Sequence, residues 1–190
     1  IVDNQQPTVT AFLDAVRTRY AAELNAEVPL FIYMQGHGTN DGRLKVLGDD
    51  QYVSAAQLKA ALDTLQKQTG CAVVVIIEAC YSGTFIPGLS STEGYQRVIL
   101  TSVDDKPYNT DDKGYITFSR FLFQKLREGD NFYKAYIYTT QMLQNMGYQA
   151  PRLSDSQGGI LAASMVLKGD LTWGLRPVIS GIEVTSILEG

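Results

Sequence analysis

Apolar positions recur along the chain in two periods, one near 3.6 and one made of short continuous runs. In residues 7–24 (PTVTAFLDAVRTRYAAEL), Val9, Phe12, Leu13, Val16 and Tyr20 fall at helical spacing, and Pro7 suits a first turn. This predicts an amphipathic helix. Residues 28–34 (VPLFIYM) are a short apolar run and predict a buried strand that feeds directly into Gln35-Gly36-His37-Gly38 and the polar turn Thr39–Gly42. Residues 43–53 predict a short hairpin around Gly48-Asp49-Asp50. Ser54 and Gln57 then carry the signature of a capping box, followed by the stripe Leu58, Ala61, Leu62, Leu65 and a glycine stop at Gly70. The next seven residues, Cys71–Ile77, are uncharged and mostly β-branched. They predict a second strand buried on both faces, ending in Glu78-Ala79-Cys80 and turning at Ser82-Gly83.

Beyond Gly83 a polar loop runs to about Gln96, and residues 97–103 predict a third strand that ends in the acidic loop DDKPYNTDDKG. Residues 117–128 predict a helix with Phe118, Phe121, Leu122 and Leu126 inward. Asn131 caps a further helix that reaches about Met146 and stops at Gly147. This rhythm is that of an α/β protein with three layers and a mainly parallel sheet. From Pro151 the texture changes: PRLSDSQGG reads as loop, residues 160–168 as a short apolar segment, and residues 176–187 alternate apolar with polar. The expected organisation is one domain over residues 1–170, then a linker or the first strand of a following β-domain over 171–190.

Composition narrows the function classes. A chain of 190 residues with 45% hydrophobic and 19% charged residues has enough apolar material for one ordinary core. A net charge of −4 gives no electrostatic footprint for nucleic acid. No apolar run approaches the ~20 residues of a membrane-spanning helix. The chain begins at Ile1 with no visible signal peptide, so removal of an export signal leaves the compartment open. On one extended segment Cys71 and Cys80 would lie about 30 Å apart, too far for a disulfide. Cys71 reads as a small buried hydrophobe, which leaves Cys80 as a free thiol at a strand end.

His37 is the single histidine and lies between two glycines at the end of the first predicted strand. Cys80 lies at the end of the second, with one helix between them. A βαβ crossover makes such strands parallel and puts both ends on one rim of the sheet, where open α/β sheets carry their sites. A thiol needs a base or cation nearby to become a good nucleophile, and imidazole titrates near neutrality. A lone cysteine is most often packing and a lone histidine most often structural. The matched strand ends are what favour a Cys80–His37 dyad. Gly36 and Gly38 lack a Cβ, so the backbone can turn sharply there and a substrate carbonyl can approach. The N–H groups of Gly38 and Cys80 would form an oxyanion hole.

The two motifs FIYMQGHG and VVVIIEACYSG, in this order and with His37 and Cys80 43 positions apart, resemble the caspase–legumain clan of cysteine peptidases. Glu-Ala-Cys followed by Ser-Gly is most similar to the legumain (asparaginyl endopeptidase, hemoglobinase) family and its bacterial relatives. The resemblance covers residues 7 to about 165 and implies the caspase-hemoglobinase-like three-layer α/β/α fold. It also implies Cys80 as nucleophile, His37 as base and acid, Gly38 and Cys80 as oxyanion donors, and Glu78 in the pocket for the substrate residue before the scissile bond. An acid there favours a carboxamide or a basic side chain. Asp104, Asp105, Asp111 and Asp112 match no second specificity motif, so asparagine and Arg/Lys both stay open. The family's sheet starts with a strand before the first helix, absent from this chain and expected from an additional domain or a separate chain.

No cofactor is implied. One histidine and two separated cysteines do not make a zinc site, and Asp155-Ser156-Gln157-Gly158-Gly159 lacks the carboxylates of a calcium loop. The expected function is a cysteine endopeptidase acting on a protein or peptide. The alternatives are a non-catalytic caspase-like binding module and a transpeptidase or ligase that uses the same dyad.

Overall fold

The computed structural model describes residues 8–45 and 51–167. The central sheet has four strands in the order β1-β4-β5-β6. β1 (Leu30–Gln35), β4 (Val73–Glu78) and β5 (Arg97–Thr101) are parallel, and β6 (Arg152–Asp155) is an antiparallel edge. All residues of β4 and β5 are buried. This explains their near-continuous Val/Ile/Leu content, because neither face meets water.

The side chains of the strands alternate between two apolar layers. Ile32, Met34, Val73, Val75, Ile77 and Ile99 face the layer of α1 (Val9–Asp14), α2 (Ala55–Thr69) and α3 (Phe85–Leu89). Tyr33, Val74, Ile76, Val98 and Leu100 face the layer of α4 (Phe118–Arg127), α5 (Phe132–Asn145) and α6 (Ile160–Ser164). Period-two alternation in a strand makes this division automatic. The result is the expected α/β/α sandwich with a mainly parallel sheet.

Local signals fix the element ends. Ser54 and Gln57 form the capping box of α2, and Gly70 closes the helix in the left-handed region at φ 70°. Asn131 caps α5 through Lys134 N–H, and Thr117 caps α4 through Arg120 N–H. The first helix is shorter than its pattern: after Asp14 it widens into a π-helical turn, Ala15–Arg19. The hairpin strands are β2 (Arg43–Lys45) and β3 (Tyr52–Ser54), paired antiparallel. Its expected tip, Gly48-Asp49-Asp50, lies outside the described residues, as does the whole segment 168–190 with the expected linker or β-domain strand.

Two elements depart from the sequence reading. The polar loop after Gly83 contains α3, whose Phe85 and Leu89 are fully buried. The segment at Pro151, expected as loop, supplies β6. It pairs Leu100 with Leu153 and Thr101 with Arg152. Backbone pairing to β5 outweighs the weak strand propensity of RLSD there. Among the described residues no strand precedes α1.

At the floor of the sheet Arg97 is 1% exposed. Its guanidinium donates to Asp63 Oδ1 (2.9 Å), Gln66 Oε1 (2.5 Å) and Leu89 O (2.6 Å). Gln66 in turn donates to Cys71 O and Gln96 O. A buried cation is tolerated because all three guanidinium nitrogens donate to oxygens. Burial pushes the guanidinium down from its ordinary value, against the pull of Asp63. At Asp63 burial opposes the charge, but hydrogen bonds from Lys59 and Arg97 outweigh it and hold the carboxyl below the usual range.

Candidate active site

The parallel register between β1 and β4 ends on Gln35 opposite Glu78. Two residues further on each strand stand His37 and Cys80. The chain ends are in contact there: a Cβ built on Gly38 would lie 2.0 Å from Cys80 O and 3.2 Å from the Ala79 Cβ. Gly36 N–H donates to Glu78 O (3.2 Å) and extends the ladder one step. Neither Gly36 nor Gly38 has a positive φ. The chain bends at Gly36 without left-handed backbone, and close approach of two backbones is what Gly38 supplies.

Past Gly38 the chain pairs with β2, where Lys45 N–H donates to His37 O (2.8 Å) and Thr39 N–H to Arg43 O (2.9 Å). These bonds flank the Gly38–Leu44 bridge. They turn the Gly38 N–H away from β2, as in any non-hydrogen-bonded antiparallel pair. Neither Gly38 N–H nor Cys80 N–H donates to a described residue. His37 is exposed, and Cys80 is half-buried. Both hydrogen bonds of Cys80 Sγ are with the Tyr108 backbone: it accepts from Tyr108 N–H at 3.4 Å and donates weakly to Tyr108 O at 3.9 Å.

The turn after the thiol is strained and clamped. Tyr81 is the one non-glycine with positive φ among the described residues, at 56°. Its N–H donates to Lys106 O (2.7 Å), and its carbonyl accepts from Thr84 N–H and Thr84 Oγ1. Such a conformation persists only where its surroundings over-determine it. Ser82 is fully buried and accepts from Val103 N–H, while Ser102 Oγ accepts from Ala79 N–H (3.1 Å). Ser82 is thus a brace between the two strand ends. Gly83 lies in the turn, as expected, and is also a contact point: a Cβ there would lie 2.8 Å from Asp104 Cα.

Glu78 is 1% exposed, and both carboxylate oxygens are engaged. Tyr33 Oη donates to Oε2 (2.6 Å), Tyr108 Oη donates to Oε1 (2.6 Å), and Ser119 N–H donates to Oε1 (3.2 Å). Tyr108 Oη also accepts from Phe118 N–H (2.7 Å), so the acid rests against the N-terminus of α4. A buried carboxylate requires such partners. Burial, reinforced by the Glu78 charge, pushes both tyrosine hydroxyls far above their ordinary value.

Tyr33, Tyr108 and Ser102 were missed from sequence. Tyr33 could have been found, because it shares the face of Glu78 on the neighbouring strand and carries the hydroxyl a buried acid needs. Tyr108 comes from a loop 30 positions away, and no local pattern announces it. Asp111 closes its own loop on Ile116 N–H, and Asp155 accepts from Gln157 N–H and Ala162 N–H. Asp155 thus caps the start of α6. Among the described residues no cluster of His, Cys, Asp and Glu could hold a metal, and no helix is long and apolar enough to cross a membrane.

The fold is that of the caspases. The chain is similar to the crystal structure of caspase-1 from Spodoptera frugiperda, with 15% identity and a TM-score of 0.55 over 78% of this chain and 68% of that one. The structure titled pro-sf-caspase-1 aligns at 14% identity and TM-score 0.52, over 78% and 69%. No curated protein sequence matches. The model of the Peptidase C13 family matches residues 22–145, well over half of the chain. The chain belongs to the Peptidase C13 family, which makes it a cysteine-type peptidase and a hydrolase.

Proposed function

We propose that the protein is an endopeptidase that cleaves polypeptides through Cys80 and His37, after a residue bearing a carboxamide, over residues 1–170 as its peptidase domain. The contact of Gly38 with the Cys80 backbone carries the reading. It brings the glycine after the single histidine against the single strand-end thiol.

In this mechanism His37 accepts the Cys80 proton as the thiolate attacks the substrate carbonyl carbon. The oxyanion is held by the Gly38 and Cys80 N–H groups, both without a partner among the described residues. His37 then returns the proton to the leaving amine, and the C–N bond breaks to leave a thioester. Water, deprotonated by His37, attacks the thioester and releases the acid and the thiol.

The pocket floor bears on the choice between asparagine and a basic residue. The hydroxyl that fills it donates to Glu78 Oε1 and accepts from Phe118 N–H. A carboxamide can take over both bonds, with its NH2 toward Glu78 and its oxygen toward Phe118. An ammonium or guanidinium only donates and would leave the Phe118 N–H unpaired.

A fluorogenic peptide library that varies the residue before the scissile bond tests the preference. Release after Asn above Lys and Arg is expected, and a basic preference overturns the pocket reading. Hydrolysis that persists in Cys80→Ala overturns the nucleophile.

A further inference from the structure

Residues Asp104–Tyr108 cross over the turn that carries the thiol, and each contact is specific. Gly83 N–H donates to Asp104 O (3.1 Å), Tyr81 N–H to Lys106 O (2.7 Å), and Gln149 Nε2 to Pro107 O (2.8 Å). Tyr108 then runs its own peptide past Cys80 Sγ and sends its side chain down to Glu78. Its backbone N–H and carbonyl both meet the sulfur. Its hydroxyl donates to the Glu78 carboxylate and accepts from Phe118 N–H at the start of α4. The same residue thus lies against both the Cys80 sulfur and the Glu78 carboxylate.

We propose that Tyr108 is an internal plug, occupying the place of the substrate residue before the scissile bond, so that strap 104–108 must lift before a peptide reaches Cys80. This rests on the reading of Cys80 and Glu78 as nucleophile and pocket. The plug is suited to displacement rather than permanence. Its bonds at the floor can be replaced by an incoming carboxamide, and its contact with sulfur is long and weak. Tyr108 itself is only half-buried, and its neighbours Asp105, Lys106, Pro107 and Asn109 are exposed. The apparent reactivity of Cys80 is then its intrinsic reactivity multiplied by the fraction of molecules with the strap raised.

The experiment is the rate of Cys80 alkylation by iodoacetamide, followed by intact mass and mapped to the site, in the wild type and in Tyr108→Ala, Tyr108→Phe and Gln149→Ala. Peptide hydrolysis is measured alongside. Tyr108→Ala should react about tenfold faster or more, because the charge-assisted anchor and the ring that hold the strap down are both lost. Tyr108→Phe, which loses the hydroxyl but keeps the ring, should fall between. Gln149→Ala loosens the strap at Pro107 without touching the pocket, and should accelerate by about two- to fivefold. Circular dichroism establishes that each variant is folded. Unchanged or slower alkylation in folded Tyr108→Ala overturns the proposal. If that variant does not fold, unchanged alkylation in Gln149→Ala does so. Faster alkylation with no hydrolysis by any form keeps the plug and sinks the peptidase reading of the site, so the two fail separately.

Discussion

Gly38→Ala should disable the site through a clash of backbones. The added Cβ would stand 2.0 Å from Cys80 O. Ordinary C···O contacts lie at about 3.3–3.6 Å, so the two strand ends must part by about 1.3 Å. No side-chain rotation relieves this, because the obstacle is a carbonyl. Parting is resisted by the Gly36 N–H bond to Glu78 O on one side and the Lys45 N–H bond to His37 O on the other. Overpacking of this kind costs about 1–3 kcal/mol. At about 2–4 °C per kcal/mol for a chain of this size, the melting temperature should fall by about 2–12 °C. A displacement near 1 Å between reacting groups costs about 10²-fold in rate. The control is Gly36→Ala, whose Cβ would sit 3.4 Å from Lys45 O, an ordinary contact. It should stay within about 0.5 kcal/mol of the wild type. Neither glycine has a positive φ, so conformational strain does not confound the pair. The assays are thermal melting by circular dichroism and kcat/KM on a fluorogenic peptide. Gly38→Ala matching Gly36→Ala in both would refute the contact.

Three further outcomes follow from the polar networks. Arg97→Met leaves Leu89 O and Gln66 Oε1 buried without their donor. A loss of about 3 kcal/mol or more is expected in urea melts. Asp63 has a folded pKa below its unfolded one, so its contribution is present above about pH 3.9 and is lost as pH falls through the folded value. Asp63→Asn should therefore flatten the acid limb of a stability-against-pH curve, and an unaltered limb would contradict this. Tyr33 and Tyr108 have folded values above unfolded ones, so their contribution is complete below about pH 10 and declines as pH rises beyond it. In an ultraviolet titration of the eleven tyrosines, the double variant Tyr33→Phe/Tyr108→Phe should lose only absorbance that the wild type develops on alkaline unfolding.

The sheet and its site were legible in the sequence to different depths. β1, α2 and β4 carry strong local signals: a two-faced apolar run, a capping box with a left-handed glycine, and a β-branched rod. Their order alone puts His37 and Cys80 on one rim. The reading of β6 as loop failed because Arg152–Asp155 pairs through its backbone with β5, and side-chain pattern records little of that. Helix α3 was hidden by Pro87-Gly88 inside a five-residue element held by Phe85 and Leu89 in the core. At the site, Glu78 was recognised by its place before Cys80. Its enclosure was not, since Tyr108 reaches it from a loop whose path is set by main-chain bonds to Tyr81 and Gly83. Hydrogen bonds between backbones carry no residue-type signature.

The Arg97 junction ties the distant end of the sheet into one thermodynamic unit. Its donors and those of Gln66 join the second half of α2, the end of α3 and the starts of β4 and β5. None of these segments can open alone without exposing the others' polar groups to a dry interior. In native-state hydrogen exchange their amides should therefore share a common, high opening energy, while the rim at Cys80 breathes independently. A peptidase built this way keeps a rigid foundation at one end of its strands, apart from the rim that carries Cys80.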